Sequence, residues 1–212
     1  MSGYHDVRFA PDPRREVLWR TLWRHHFAAR IGAADCVLDL GAGYGSFINQ
    51  VVARRRIAVD TWAELPRHVA PGVEAVVGSV ADLGFLPDGA VDFAFASNLF
   101  EHLTQADFAA TLAGLRRVLS PRGTLTILQP NWRHASREYY DDYTHVTPWS
   151  HVSLCDFLAA HGFEPFEVRP RFLPLTIKSR LPVHPLLIRA WLASPLKPGG
   201  KQMLVAARPR RS

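Results

Sequence analysis

Cysteine is scarce in this chain of 212 residues. The only two, Cys36 and Cys155, have neither the spacing of a metal site nor an obvious disulfide partner, so we expect two reduced core residues. No apolar run approaches the roughly 18–20 residues that a membrane-spanning helix requires. The polar start, 1–6, is not followed by the apolar region of a secretory leader. Together these absences predict a single cytoplasmic domain spanning 1–212.

Acidic residues are missing from the C-terminal part of the chain. No Asp or Glu follows Glu167, whereas the segment 171–212 carries nine Lys and Arg residues. The rest of the chain is mildly acidic, so the positive charge is concentrated in one segment. Such a segment suits contact with a membrane surface or another acidic surface. A solvated basic face would have the same composition, and this alternative stays open.

The third glycine of a dinucleotide fingerprint is also missing. The short apolar run 37–40 enters a turn with glycines at Gly41, Gly43 and Gly45, but the position that the fingerprint gives to its last glycine holds Ser46. Asp39 lies two residues before the turn, where a carboxylate would repel a pyrophosphate and could pair with an ammonium group. These residues favour S-adenosylmethionine, which has an amino group, a sulfonium and no phosphate, over NAD.

A second apolar run follows the glycine turn and ends in Asp60, whose carboxylate can accept hydrogen bonds from both hydroxyls of a ribose. Thr61 and Trp62 come next, and the indole could flank an adenine. An Asp at this position could instead cap the following helix. With the glycine turn, this pattern resembles the class I, Rossmann-like, S-adenosylmethionine-dependent methyltransferases over residues 35 to 170. The expected cofactor-binding set is as follows: Asp39, Gly41, Ala42, Gly43, Gly45, Asp60, Thr61, Trp62, Ser79, Val80, Ser97 and Asn98.

Four of these residues follow later strands. Ser79 stands where the family usually has an acid, so the resemblance implies that the adenine contact passes to the N–H of Val80. The backbone at Ser97 or Asn98 is expected to face the cofactor. The next segment ends in a Glu-His pair that includes His102, which some family members use to bind a divalent metal. The sequence offers only two candidate ligands here, so no metal is predicted and His102 is expected to support the acceptor pocket.

The alternation of apolar runs and amphipathic segments predicts an α/β fold. We expect a doubly wound seven-stranded sheet, mostly parallel with an antiparallel last strand, and helices on both faces. The expected divisions are an N-terminal helix at 12–30, a cofactor-binding core at 35–130, an acceptor loop at 131–149 and an insertion at 171–200. Strands are predicted at 36–40, 57–60, 73–77, 91–96, 124–128, 163–169 and 202–208. Helices are predicted at 46–53, 62–69, 104–119, 150–161 and 185–193.

The acceptor loop is rich in aromatic residues, acids and histidines, which together suit a polar ring such as a sugar. His145 is the candidate general base because its ordinary pKa is near neutrality. Asp141 or Asp142 could orient it or bind acceptor hydroxyls. The alternative is an aromatic loop that only caps the sheet. The insertion, with its apolar and basic residues, could be a lid, a dimer contact, a membrane-surface patch or ordinary packing.

The sequence therefore predicts an S-adenosylmethionine-dependent methyltransferase of a small polar acceptor. O-methylation of a sugar, nucleotide-sugar or related metabolite is the first expectation. The segment after the fourth strand lacks the motif of nucleic-acid N-methyltransferases, so nucleic acid is not expected as a partner. The alternatives are an RNA methyltransferase, in keeping with the sequence pI near 9.8, and a cofactor-binding scaffold without catalysis. The sequence does not predict an oligomeric state.

Overall fold

The computed structural model describes residues 12–174 and 183–210. Seven strands form one sheet in the order β3-β2-β1-β4-β5-β7-β6. Their bounds are Cys36–Leu40 (β1), Arg55–Asp60 (β2), Val73–Val77 (β3), Val91–Ser97 (β4), Leu119–Pro130 (β5), Phe163–Leu173 (β6) and Gln202–Pro209 (β7). The first five strands pair in parallel, and β7 is antiparallel to both β5 and β6. The predicted Rossmann-like fold with an antiparallel last strand is confirmed.

Helices cover both faces of this sheet. They are Pro13–Leu22 (α1), Gln105–Val118 (α2), Trp132–Ala135 (α3), His151–Ala160 (α4) and Pro185–Ala193 (α5). One apolar cluster joins α2 and α4 to one face of the sheet, and a second joins α1 and part of α5 to the other. A π-helix, Trp23–Phe27, continues α1 and buries Phe27 beside Phe47 and Phe95. The leading helix therefore supports the segment that follows the glycine turn.

Two predicted helices are wrong. In place of helices at 46–53 and 62–69 the structure has single 3₁₀ turns, Ile48–Gln50 and Leu65–Arg67. In the first case only residues 46–54 remain between the glycine turn and β2, and the crossover is too short for a full helix as well as a return loop. In the second case Pro66 lies within the turn and cannot donate a backbone hydrogen bond. The glycine turn thus lacks the α-helix start that the sequence suggested.

The insertion is described in part, because 175–182 lie outside the described residues together with the predicted basic and apolar positions there. Helix α5 packs Ile188, Trp191 and Leu192 against the second cluster, and the indole of Trp191 donates a 2.7 Å hydrogen bond to the carbonyl of Phe172. This helix therefore makes ordinary packing contacts. In the ranges 12–174 and 183–210, every helix is too short or too polar to cross a membrane.

Candidate functional site

The order of the strands reverses between β1 and β4. In doubly wound folds ligands bind at such a point, beyond the carboxyl ends of the strands. Four segments from the sequence analysis meet this edge of the sheet: the glycine turn after β1, Asp60 at the end of β2, residues 78–80 after β3 and residues 97–102 after β4. The topology therefore gathers the predicted cofactor-binding segments at one end of the sheet.

The glycine turn has a backbone that few other residues could adopt. Gly41, Gly43 and Gly45 have φ values of +67°, +52° and +64°. A side chain on Gly41 would also clash, since a Cβ there would lie 2.8 Å from Cδ1 of Leu99 in the segment after β4. Ala42, between the glycines, donates its N–H to the carbonyl of Val59 in β2. The missing side chains thus allow the ends of β1, β2 and β4 to approach one another closely.

Asp60 joins the glycine turn to the end of β2. One carboxylate oxygen accepts a 2.8 Å hydrogen bond from the N–H of Gly43, and the other accepts a 2.9 Å hydrogen bond from the N–H of Trp62. Each carboxylate oxygen can accept a second hydrogen bond. The structure therefore holds a carboxylate in a fixed orientation beside the turn, with acceptor capacity for the hydroxyls of a ribose.

Asp39 lies beneath the turn. Its side chain is only 3% exposed, and its carboxyl group accepts a hydrogen bond from the backbone of Ile48. Burial raises the pKa of Asp39 well above its usual value, against the lowering effect of that hydrogen bond, and the nearby charge of Asp60 raises it further. Asp39 thus stabilises the chain that leaves the turn. Its pairing with an ammonium group stays a prediction.

Three rings stand next to Asp60. Trp62 stacks on His68 with ring centroids 4.7 Å apart and planes within 10° of parallel, and the edge of Tyr44 contacts both rings. Thr61 is exposed beside them. The sequence analysis selected Trp62 as a residue to flank an adenine, which stays a prediction, and selected neither of its two neighbours. Aromatic residues grouped next to a carboxylate suit a flat base attached to a sugar.

The segments after β3 and β4 differ in what their backbones can offer. The side chain of Ser79 is exposed and accepts the N–H of Ala81 at 3.2 Å, while Val80 is buried. Asn98 has a φ of +49°, uncommon for a residue other than glycine, and its N–H donates to the carbonyl of Leu128 at 2.8 Å. That N–H pairs β4 with β5, and the expectation that the backbone at Ser97 or Asn98 faces the cofactor stays a prediction. The positive φ turns the chain sharply after Ser97.

The acceptor loop folds back onto the segment after β4. The carbonyl of Glu101 accepts two backbone hydrogen bonds, from Val146 at 2.8 Å and from Thr147 at 3.2 Å. The indole of Trp149 donates to the carbonyl of Phe100 at 3.1 Å. These contacts bring segments about forty residues apart into one cluster.

Glu101, His102, Asp142, Thr144 and His145 form this cluster. The hydroxyl of Thr144 donates a 2.6 Å hydrogen bond to Asp142 and lies 2.9 Å from Nδ1 of His102. The rings of His102 and His145 meet edge to face with centroids 4.7 Å apart. Burial, with a further lowering effect of the neighbouring imidazole of His145, lowers the pKa of His102 to about 4. Burial raises the pKa of Glu101 to about 8.

The structure thus brings together three of the four predicted catalytic residues and leaves one apart. His102, Asp142 and His145 meet in the cluster, whereas Asp141 is exposed in the 3₁₀ turn Tyr139–Asp141. The sequence analysis did not select Glu101 as a site residue, although its place beside His102 after a buried strand was the available signal.

Two further buried polar residues were not predicted. Tyr139 is fully buried, donates its hydroxyl to the carbonyl of Thr147 at 2.6 Å and packs its ring on His145 with centroids 4.6 Å apart. Burial and the charge of Glu101 raise the pKa of Tyr139. Gln129, near the end of β5, is buried with no hydrogen-bond partner for its amide among the described residues. A polar residue at the end of an apolar strand was the only sequence signal for Gln129.

Comparison with known proteins addresses the same part of the chain. Residues 38–127 match the methyltransferase domain family. The matched stretch begins inside β1 and ends inside β5, so it contains the glycine turn, Asp60 and the Glu101–His102 pair. It does not reach the acceptor loop.

Two curated relatives and one solved structure extend the comparison. A Mycobacterium tuberculosis protein described as a probable S-adenosylmethionine-dependent methyltransferase is 35% identical over 122 residues, 56% of this chain and 42% of that protein. The 23S rRNA (guanine(748)-N(1))-methyltransferase of Streptomyces fradiae is 32% identical over 114 residues, 50% of this chain and 38% of that enzyme. The chain thus spans less than half the length of both relatives.

An S-adenosylmethionine-dependent methyltransferase from Archaeoglobus fulgidus has the same fold. Its structure superposes with a TM-score of 0.68 at 22% identity, over 91% of this chain and 93% of that one. The family match and the relatives thus show similarity to methyltransferases, and the solved structure shows the fold alone. The name of the Streptomyces relative states an rRNA acceptor and that of the Mycobacterium relative states none, so the acceptor stays open.

Proposed function

We propose that this chain is an S-adenosylmethionine-dependent methyltransferase that acts on a small polar acceptor. The observation that carries the proposal is the carboxylate of Asp60, held by the N–H groups of Gly43 and Trp62 beside the glycine turn. Its position suits the ribose of a nucleoside. The buried polar cluster at Glu101 lies at the same edge of the sheet, beyond β4.

The residues around the turn would hold the cofactor in three parts. Asp60 would accept the ribose hydroxyls, and Trp62 with Tyr44 would lie against the adenine. The turn backbone, with Asp39 beneath it, would face the amino-acid part. When bound, the cofactor supplies a methyl group made electrophilic by its sulfonium. Among the described residues, the turn holds Ser46 at the position of the third glycine of a dinucleotide fingerprint, which fits a ligand without a pyrophosphate.

The acceptor loop would hold the second substrate. We propose that His145 takes the proton from an acceptor hydroxyl, with Asp142 and His102 beside it and Asp141 available for acceptor hydroxyls at the exposed rim. The hydrogen bonds from Val146 and Thr147 to Glu101 fix this loop against the end of β4. Exposed Tyr140 and Tyr143 border the cluster in sequence and suit stacking on a sugar ring. O-methylation of a sugar or nucleotide-sugar is the reaction that we propose.

An RNA acceptor is the second candidate. It is favoured by the similarity to the rRNA methyltransferase and by the basic residues after Glu167. The two candidates differ in their dependence on salt, because binding to a phosphate backbone weakens steeply as salt rises. Retention on an RNA column that is lost between low and physiological salt would favour RNA. Weak retention at low salt would favour the small acceptor.

The cofactor proposal is tested by calorimetry with S-adenosylhomocysteine. Replacing Asp60 by Ala removes a charged hydrogen-bond acceptor, and the dissociation constant should rise by about one to three decades. Asp88→Ala is the matched control, because this exposed acid lies in the loop before β4, at the opposite edge of the sheet, where it pairs with Arg117 of α2. The proposal would be contradicted if the unmodified chain did not bind S-adenosylhomocysteine. It would also be contradicted if Asp60→Ala bound it as tightly as the unmodified chain.

A further inference from the structure

Three metal-ligating side chains converge next to the acceptor loop. Glu101, His102 and His145 each present one ligand atom, and these three atoms all lie within 4.8 Å of one another. The first two residues belong to the 3₁₀ turn Phe100–His102, and the third comes from the acceptor loop. One carboxylate oxygen with two imidazole nitrogens is a donor set that proteins use for divalent transition metals, and it leaves coordination positions open.

The environment of Glu101 supports a cation at this point. Its side chain is 0% exposed, and neither carboxylate oxygen has a hydrogen-bond partner among the described residues. A buried polar group without a partner is costly, and a buried carboxylate is costlier still. The ion-pairing residues of the described chain lie elsewhere, so Arg or Lys does not supply the missing partner. A metal ion bound to one of the oxygens would compensate the negative charge of the carboxylate.

The orientation of His102 points the same way. Its Nδ1 lies 3.3 Å from the carbonyl oxygen of Thr144, which can only accept a hydrogen bond, so Nδ1 carries the proton. The hydroxyl of Thr144 donates to Asp142 and accepts from the same Nδ1–H. With that proton on Nδ1, Nε2 is the ring nitrogen that can present a lone pair to a metal ion. Protein metal sites fix their histidines in this way, through an acceptor on the other ring nitrogen.

We propose that Glu101, His102 and His145 bind one divalent transition-metal ion, with Thr144 and Asp142 as the residues that orient His102. The two nitrogen donors favour ions such as Zn²⁺, Co²⁺ or Ni²⁺ over Mg²⁺ and Ca²⁺, which prefer oxygen ligands. The binding of the ion does not depend on the proposed methyl transfer. Its use does: the ion would lower the pKa of an acceptor hydroxyl at an open position, and the proton would pass to solvent, because His145 as a ligand would not be the proton acceptor proposed above.

Metal titration of the chelator-treated full chain tests this site without any acceptor. Calorimetry with Zn²⁺ and visible absorption with Co²⁺ should both show one ion per chain. Glu101→Gln and His145→Asn should each weaken binding by about 100-fold or more, since ligands matter at least as much as the residues that orient them. Thr144→Val keeps all three ligands and should weaken binding by about 10- to 100-fold. His25→Gln, in an exposed histidine of the π-helix, should have no effect.

The outcomes separate this proposal from the cofactor proposal. The metal site is overturned if the unmodified chain takes up no stoichiometric ion, or if both ligand variants bind it as tightly as the unmodified chain does. Thr144→Val alters neither a buried charge nor a ring. If a ligand variant fails to fold, unchanged metal affinity in Thr144→Val would contradict the proposed site. S-adenosylhomocysteine should bind Glu101→Gln with unchanged affinity. If the chain bound the metal ion but not S-adenosylhomocysteine, the metal site would be supported and the proposed methyltransferase function would be contradicted.

Discussion

The glycine turn after β1 and the polar cluster after β4 lie at the same edge of the sheet but are assembled differently. In the turn, the link from Gly43 to Asp60 joins residues 17 positions apart, within one strand-turn-strand unit. In the cluster, the link from His102 to Thr144 joins residues 42 positions apart. The turn uses backbone geometry and a partly exposed carboxylate. The cluster uses buried ionisable side chains whose properties are set by their neighbours.

This difference has consequences for mutation. Adding a side chain in the turn should lower the stability of the fold and the affinity for the cofactor. Substitutions in the cluster should leave cofactor binding unchanged and should weaken the binding of the acceptor and of the metal ion. Three experiments test this contrast, in order of expected effect.

Gly41→Ala should have the largest effect on stability. A Cβ at a φ of +67° costs about 1–2 kcal/mol of unfolding free energy, and its clash with Leu99 adds to this. Gly199→Ala is a matched control, because Gly199 has a φ of +70° and nothing within 4 Å of its Cβ position. Urea denaturation should show a larger loss for Gly41, and adding Leu99→Ala should recover part of it. Equal losses at both glycines would show that close packing at the turn is unimportant.

His26 should make the packing beneath the turn sensitive to acid. Burial, with smaller effects of Arg30 and Arg169, lowers its pKa to about 4 from an ordinary value of 6.5. The unfolded chain therefore takes up the proton first, and the free energy of unfolding should fall by about 2–3 kcal/mol as the pH drops from 6.5 to about 4. Above pH 6.5 this histidine contributes no pH dependence.

Denaturation at a series of pH values checks the effect of His26. Its ring packs against Phe27 and Phe172, so His26→Phe fits the site and should remove this part of the slope. His25→Gln should keep the slope, since His25 is exposed. An unchanged slope in His26→Phe would mean that other groups cause the acid sensitivity.

Tyr139→Phe should have the smallest effect, confined to the cluster. The change removes the 2.6 Å hydrogen bond to the carbonyl of Thr147 and should lower the unfolding free energy by about 1–2 kcal/mol. Affinity for S-adenosylhomocysteine should stay the same. Tyr140→Phe, at a tyrosine that is 54% exposed, should leave both quantities unchanged. A loss of S-adenosylhomocysteine affinity in Tyr139→Phe alone would show that the two regions are coupled.

The sequence by itself determined the strands and the turn. Apolar runs alternating with amphipathic segments predicted the sheet, and glycines with a following carboxylate predicted the turn, because a buried strand and a positive φ each demand particular residues at fixed positions. It also predicted that Asp60 lies near the turn, since the unit that joins them is short. The helices at 46–53 and 62–69 were wrong because their length depended on the space available between strands and on Pro66, and periodicity does not measure that space.

Only the tertiary structure decided the cluster. Sequence spacing did not show that Glu101 and His102 meet His145, because the approach depends on the acceptor loop crossing back to bond the backbone of Glu101. Nor could it give the pKa of either group, which burial moves up for the carboxyl and down for the imidazole. Backbone conformation follows from local residue types, whereas the charge state of a buried side chain follows from everything packed around it.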